Sequence, residues 1–173
     1  MNRGLGKTKL VGPGDRIVFK ALRCIALALL VAAPVSAFAQ DFRDEHRVKS
    51  LKGLRDVAIV IRANAPKEVA TISEFGDMVR VSLARNAPGL QVVSTQDTST
   101  WLELSVITAE AGGSVEVSLY RWVTVRASGE SVLAKVWDRS EAMFGGVSRQ
   151  AMRESIESLL TRFGADYLRA IKQ

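Results

Sequence analysis

The sequence predicts a two-layer α/β (α+β) sandwich with a mixed sheet, in the order β-α-β-β-β-β-α and with both helices on one sheet face. Three observations lead there. A short β-branched apolar run at 57–61 precedes a helix-start signature. Three stretches of alternating hydrophobicity then follow one another between glycine turns, and the chain closes on a long apolar stripe at helical spacing.

Leu54 to Ala63 (LRDVAIVIRA) is short, apolar on consecutive positions and bounded by Asn64-Ala65-Pro66, which reads as a central strand buried on both faces. Thr71-Ile72-Ser73-Glu74 is a capping box, in which the Thr hydroxyl and the Glu carboxylate each satisfy a backbone N–H left over at a helix start. Ile72, Phe75, Met78, Val79, Ser82, Leu83 and Asn86 continue at helical spacing, with Gly76 weakening the helix by about 1 kcal/mol relative to Ala. Pro88-Gly89 ends it and leads to a short strand, Leu90 to Val93. Strand, crossover helix and strand make a parallel unit.

An antiparallel meander follows. Trp101 to Thr108 alternates with Leu102, Leu104 and Val106 on one side, and Ala111-Gly112-Gly113 turns the chain. Val115 to Arg126 carries Val115, Val117, Leu119, Val123 and Val125 on one face, interrupted by Arg121. After Ser128-Gly129, Ser131 to Asp138 places Val132, Ala134 and Val136 together, and 139–147 reads as a loop. Ser148 then caps a helix whose stripe is Met152, Ile156, Leu159, Leu160, Phe163, Tyr167 and Ile171, with Lys172 suited to the negative end of the helix dipole.

The first 39 residues have a different character. Lys20 and Arg23 flank an apolar run, Cys24 to Ala33, which Pro34 breaks before Ala37-Phe38-Ala39. A basic segment, a short apolar core and an A-x-A site are the parts of a secretory signal, with cleavage expected between Ala39 and Gln40. The apolar run is about half the roughly 20 residues a membrane span requires. Domain organisation is therefore a leader over 1–39, a charged and flexible lead-in over 40–53, and one α/β domain over 54–173. The leader's long basic start also fits translation beginning at Val18.

Gly4-Leu5-Gly6-Lys7-Thr8 looks like the end of a phosphate-binding loop, but the first glycine of that motif would fall on Met1, with no strand before it. The net charge of +6 is also largely a property of the leader: residues 40–173 hold 18 Lys/Arg against 17 Asp/Glu. Nucleic-acid binding through a basic patch loses its basis. The single cysteine, Cys24, leaves with the leader, and Arg23 before it argues against lipoprotein processing. The mature chain then has no disulfide, no thiol nucleophile and no thiolate metal ligand.

Candidates for chemistry are few. His46, the sole histidine, lies between Glu45 and Arg47 in the lead-in and reads as solvated. Asp138 and Glu141 could form a carboxylate pair for a small hydrolase, the alternative to a binding role. Gly145-Gly146 reads as a hinge. No metal or cofactor motif is present, so no cofactor, metal or catalytic residue is expected. The alternation instead places Trp101, Glu103 and Ser105, Ser118, Tyr120 and Trp122, and Lys135 and Trp137 opposite the helix-facing side. Trp101, Tyr120, Trp122 and Trp137 are thus the partner-binding candidates, on a face that a two-layer fold leaves open. An envelope protein is the expected partner, and a homodimer the alternative.

The leader, the W-L-x-L-x-V strand, the V-W-D strand end and the closing Phe163, Asp166, Tyr167 and Leu168 (F-x-x-D-Y-L) together resemble a group of small exported bacterial α/β proteins of uncharacterised role. Members of that group usually carry an Asn shortly after Tyr-Leu, where this chain has Arg169-Ala170. The element order is also similar to small periplasmic envelope domains, such as the N-terminal domain of the Tol-system propeller protein and curli-secretion-type lipoproteins. The resemblance agrees with what the leader itself predicts, an exported protein in the periplasm or beyond the cell with no membrane span once mature. It implies no enzyme and transfers no catalytic residue.

Overall fold

The computed structural model describes residues 44–67 and 69–173; the expected leader, its expected cleavage site and the opening motif lie outside them. Seven elements after residue 55 follow the predicted order: β1 (Asp56–Asn64), α2 (Ile72–Asn86), β2 (Gln91–Val93), β3 (Thr100–Ala109), β4 (Gly112–Thr124), β5 (Ser131–Phe144) and α3 (Arg149–Ala170). A short helix, α1 (44–50), precedes them. The strands form one sheet in the order β2-β1-β3-β4-β5. β1 runs parallel to both neighbours, and β3-β4-β5 is the antiparallel meander.

One side of the sheet carries the core. Val57 of β1, Leu102, Leu104 and Val106 of β3, and Val115, Val117 and Leu119 of β4 pack under Phe75, Val79 and Leu83 of α2 and Met152, Ile156, Leu159, Leu160 and Phe163 of α3. Both helix starts are fixed by their caps. The Thr71 hydroxyl accepts from the Glu74 N–H at 3.3 Å while Thr71 N–H donates to the Glu74 carboxylate at 2.7 Å, and the Ser148 hydroxyl accepts from the Ala151 N–H at 3.1 Å. Those contacts hold the Glu74 carboxyl below its usual range, the backbone hydrogen bond from Thr71 contributing most.

Three expectations change. Residues 44–50, expected within a flexible lead-in, are helical, and Val48, Leu51 and Leu54 are core residues. Val48 lies on the helix while Leu51 and Leu54 bound the turn that follows it, three isolated apolar residues that do not stand out among the charges around them. The Arg121 guanidinium, which interrupts the apolar face of β4, donates from Nη1 to the carbonyls of Ser50 at 3.1 Å and Lys52 at 3.4 Å. It therefore satisfies carbonyls at the C-terminal end of α1.

The second change is that β5 extends through 139–144 instead of giving way to a loop. Arg139 and Glu141 face the helices, a polar alternation that does not read as a strand. Both find partners on α3: Arg139 Nη2 lies 3.4 Å from Asp166, and the Glu141 carboxylate accepts from Ser158 at 2.8 Å and pairs with Arg162 at 3.3 Å.

The third concerns Trp137. Leu119 is opposite Trp137, but the next residue of β4, Tyr120, is opposite Lys135. Val136 is thus an extra residue on β5, a bulge that reverses the in–out alternation on either side of it. Trp137 turns into the core, 1% exposed. Its ring meets Phe163 edge-on, with centroids 5.0 Å apart at 83°, and its indole N–H donates to the Asp166 carboxylate at 3.1 Å. The F-x-x-D-Y-L pattern is thereby explained as a docking device, since Phe163, Asp166 and buried Tyr167 seat α3 on the sheet.

Candidate interaction face

Among the described residues no helix covers the other side of the sheet. The strand register builds it row by row. Ala58, Trp101, Tyr120 and Lys135 lie across β1, β3, β4 and β5; Val60, Glu103, Ser118 and Asp138 form the next row; Arg62, Ser105, Glu116 and Ser140 the one after. On the opposite flank Trp122 pairs with Leu133.

Three of the four sequence-predicted residues come together here. Trp122 is 52% exposed and Leu133 47%, while Trp101 and Tyr120 are half-buried. A shallow depression of about 310 Å³ is lined by Val60, Arg62, Trp101, Glu103, Tyr120 and Leu133. Trp137 is not part of it, for the reason given by the bulge. Val60 and Arg62 were not among the expected residues because β1 reads as buried on both faces, whereas its outer face carries the edge of this depression. Only the parallel register, Val60 to Glu103 and Arg62 to Ser105, reveals them.

Two ion pairs hold the polar half of the face. Arg62 Nε lies 2.9 Å from the Glu103 carboxylate. Lys135 Nζ donates to Glu116 at 2.6 Å, and the Ser118 hydroxyl donates to the same carboxylate oxygen at 2.7 Å. The Lys135 hydrogen bond, and then that from Ser118, hold the Glu116 carboxyl below its usual range, against the opposing effect of burial. The same bond pushes the Lys135 ammonium up.

The pH dependence follows. A depressed carboxyl stabilises the fold above its unfolded pKa and loses that contribution as pH falls through its folded value. A raised ammonium stabilises the fold below its unfolded pKa and loses that contribution as pH rises through its folded value. This pair therefore contributes across neutral pH and is lost at both extremes. Being partly solvated, it is worth only ~0.5 kcal/mol. Thermal melts of Glu116→Gln should show a small loss at pH 7 that vanishes on acidification; an equal loss at all pH values would contradict the assignment.

The remaining candidates separate. Asp138 sits on the open face while Glu141 points to the helices, held by Ser158 and Arg162, so the two carboxylates do not share a site. His46 is an exposed residue of α1. Gly145 takes φ +81° in the turn before α3, with its N–H on the Ala111 carbonyl at 3.3 Å. Among the described residues no group of three or more His, Cys, Asp or Glu could hold a metal ion, and no helix is long and apolar enough to cross a membrane.

No protein-family model matches the chain, and no curated protein matches it at a significant level. Among solved structures, a PelC variant dodecamer from Paraburkholderia phytofirmans is similar with 11% identity and a TM-score of 0.33, over 64% of this chain and 88% of that one. A minor lipoprotein from Acinetobacter baumannii is similar with 10% identity and a TM-score of 0.29, over 67% of this chain and 91% of that one. At TM-scores this low neither likeness bears on function.

Proposed function

We propose that the mature chain is an exported, non-enzymatic periplasmic domain that binds a protein partner through the open sheet face. The observation that carries this is the convergence of Trp101, Tyr120, Trp122 and Leu133 on a side of the sheet that no described helix covers. Rigid aromatic side chains gain the most from being covered, and a polar rim fixes their partner's orientation. That polar role falls here to the two ion pairs, Arg62 with Glu103 and Lys135 with Glu116. Export is supported by the leader's basic start, apolar core and A-x-A site. The non-catalytic part of the reading is supported by the separation of Asp138 from Glu141 and by the solvated position of His46.

A photoreactive residue at Leu133, introduced in cells, should yield one discrete adduct, and the same residue at exposed Val81 on α2 should not. An adduct of twice the chain's mass would identify a second copy as the partner. An empty result at normal expression would overturn the proposal.

A further inference from the structure

The depression on the open face has a chemical bias of its own. Glu103 lies in it with a side chain only 16% exposed, flanked along the sheet by Trp101 and Tyr120. A carboxylate this far from water gains from charge-assisted donors more than a surface one does, because its lost hydration must be replaced. Yet Glu103 has one partner among the described residues, Arg62, and that contact is ionic; no described side chain donates a hydrogen bond to it. Arg62 itself reaches in from the rim to 2.9 Å but stays 72% exposed, so solvent weakens its pull on Glu103. The charged groups on this face, Glu103, Glu116 and Asp138 against Arg62 and Lys135, leave it with a surplus of negative charge.

We propose that this depression receives an arginine side chain of the partner, its guanidinium forked onto Glu103 and flat against the rings of Trp101 and Tyr120. The inference rests on the open face being the binding surface and specifies what that surface recognises. A guanidinium is the group that satisfies both features at once, since its planar fork matches a carboxylate and its face stacks on aromatic rings. Arg62 then acts as an internal competitor, which the incoming arginine displaces from Glu103.

The test uses the mature chain and a short capped peptide with one arginine, followed through tryptophan fluorescence at low salt. The wild type should show saturable quenching. The peptide with citrulline, which is neutral but of the same shape, should bind at least about tenfold more weakly. Glu103→Gln should lose affinity for the arginine peptide by a similar factor, about tenfold. Arg62→Ala should gain affinity several-fold, a change that no merely structural role predicts and that decides the matter even if Glu103→Gln fails to fold. Equal binding of the two peptides, no saturation in the wild type, or a neutral oligosaccharide quenching wild type and Glu103→Gln alike would each overturn the proposal. Persistence of the Leu133 adduct in cells carrying Glu103→Gln would sink the arginine reading while leaving the face as the partner surface. Peptide binding without any adduct would do the reverse.

Discussion

Trp137→Ala should cost about 3–5 kcal/mol of stability, and Trp122→Ala at most about 1 kcal/mol, although both residues lie in consecutive strands of one hairpin. The difference comes from the bulge at Val136. Trp137 is fully buried against Phe163, and its indole N–H is one of the groups facing the Asp166 carboxylate. Truncation leaves a cavity in the core and takes a donor away from a carboxylate that is 5% exposed and otherwise faced by Arg139 at 3.4 Å and Arg169 at 3.8 Å. Trp122, half in solvent, loses little when truncated. A domain of this size is stable by about 5–15 kcal/mol, so the first change removes a large share and the second does not. Urea midpoints of the two variants decide it; similar losses for both would mean the bulge is misplaced and Trp137 belongs on the open face.

The second large effect concerns two glycines inside helices. A β-carbon at Gly164 of α3 would stand 2.3 Å from the carbonyl oxygen of Asn86 and 2.7 Å from its carbonyl carbon. The obstacle is the backbone of α2, so the helices must part. Gly164→Val should cost about 3 kcal/mol or more, at the upper end of the overpacking range. At Gly76 of α2 the nearest atom is the end of the Arg80 side chain at 3.4 Å, which can swing away. Gly76→Ala should therefore stabilise the protein, by up to about 1 kcal/mol. Thermal melts of the two variants should move in opposite directions, and a shared direction would contradict the close α2–α3 crossing.

These residues also show what was legible in the sequence. The element order was readable because caps and periodicity are local: Thr71 with Glu74 and Ser148 announce their helices, and the alternation of Leu102, Leu104 and Val106 announces a strand. Three of the four partner-binding candidates stand on the open face for the same reason. What failed to be legible was non-local. The bulge is a property of the β4–β5 pairing, and nothing in Lys135-Val136-Trp137 alone marks the extra residue. Arg121 read as a break in an apolar face because its partners, the carbonyls of Ser50 and Lys52, lie about 70 residues away. The continuation of β5 was hidden because Arg139 and Glu141 are polar residues on a buried side, made tolerable by Asp166, Ser158 and Arg162 of α3. Val60 and Arg62 escaped because a strand that is apolar on consecutive positions does not declare which neighbour its outer face will meet.

The open face as the partner surface is the claim on which the functional account depends. The most direct measurement is the yield of the Leu133 crosslink in cells, compared between wild type and a Trp101→Ala/Trp122→Ala variant, with the melting temperature of each purified protein beside it. The account predicts a discrete adduct in the wild type and its loss in the variant, whose fold stays intact because neither ring is part of the buried core. An adduct of undiminished yield in the variant would contradict it.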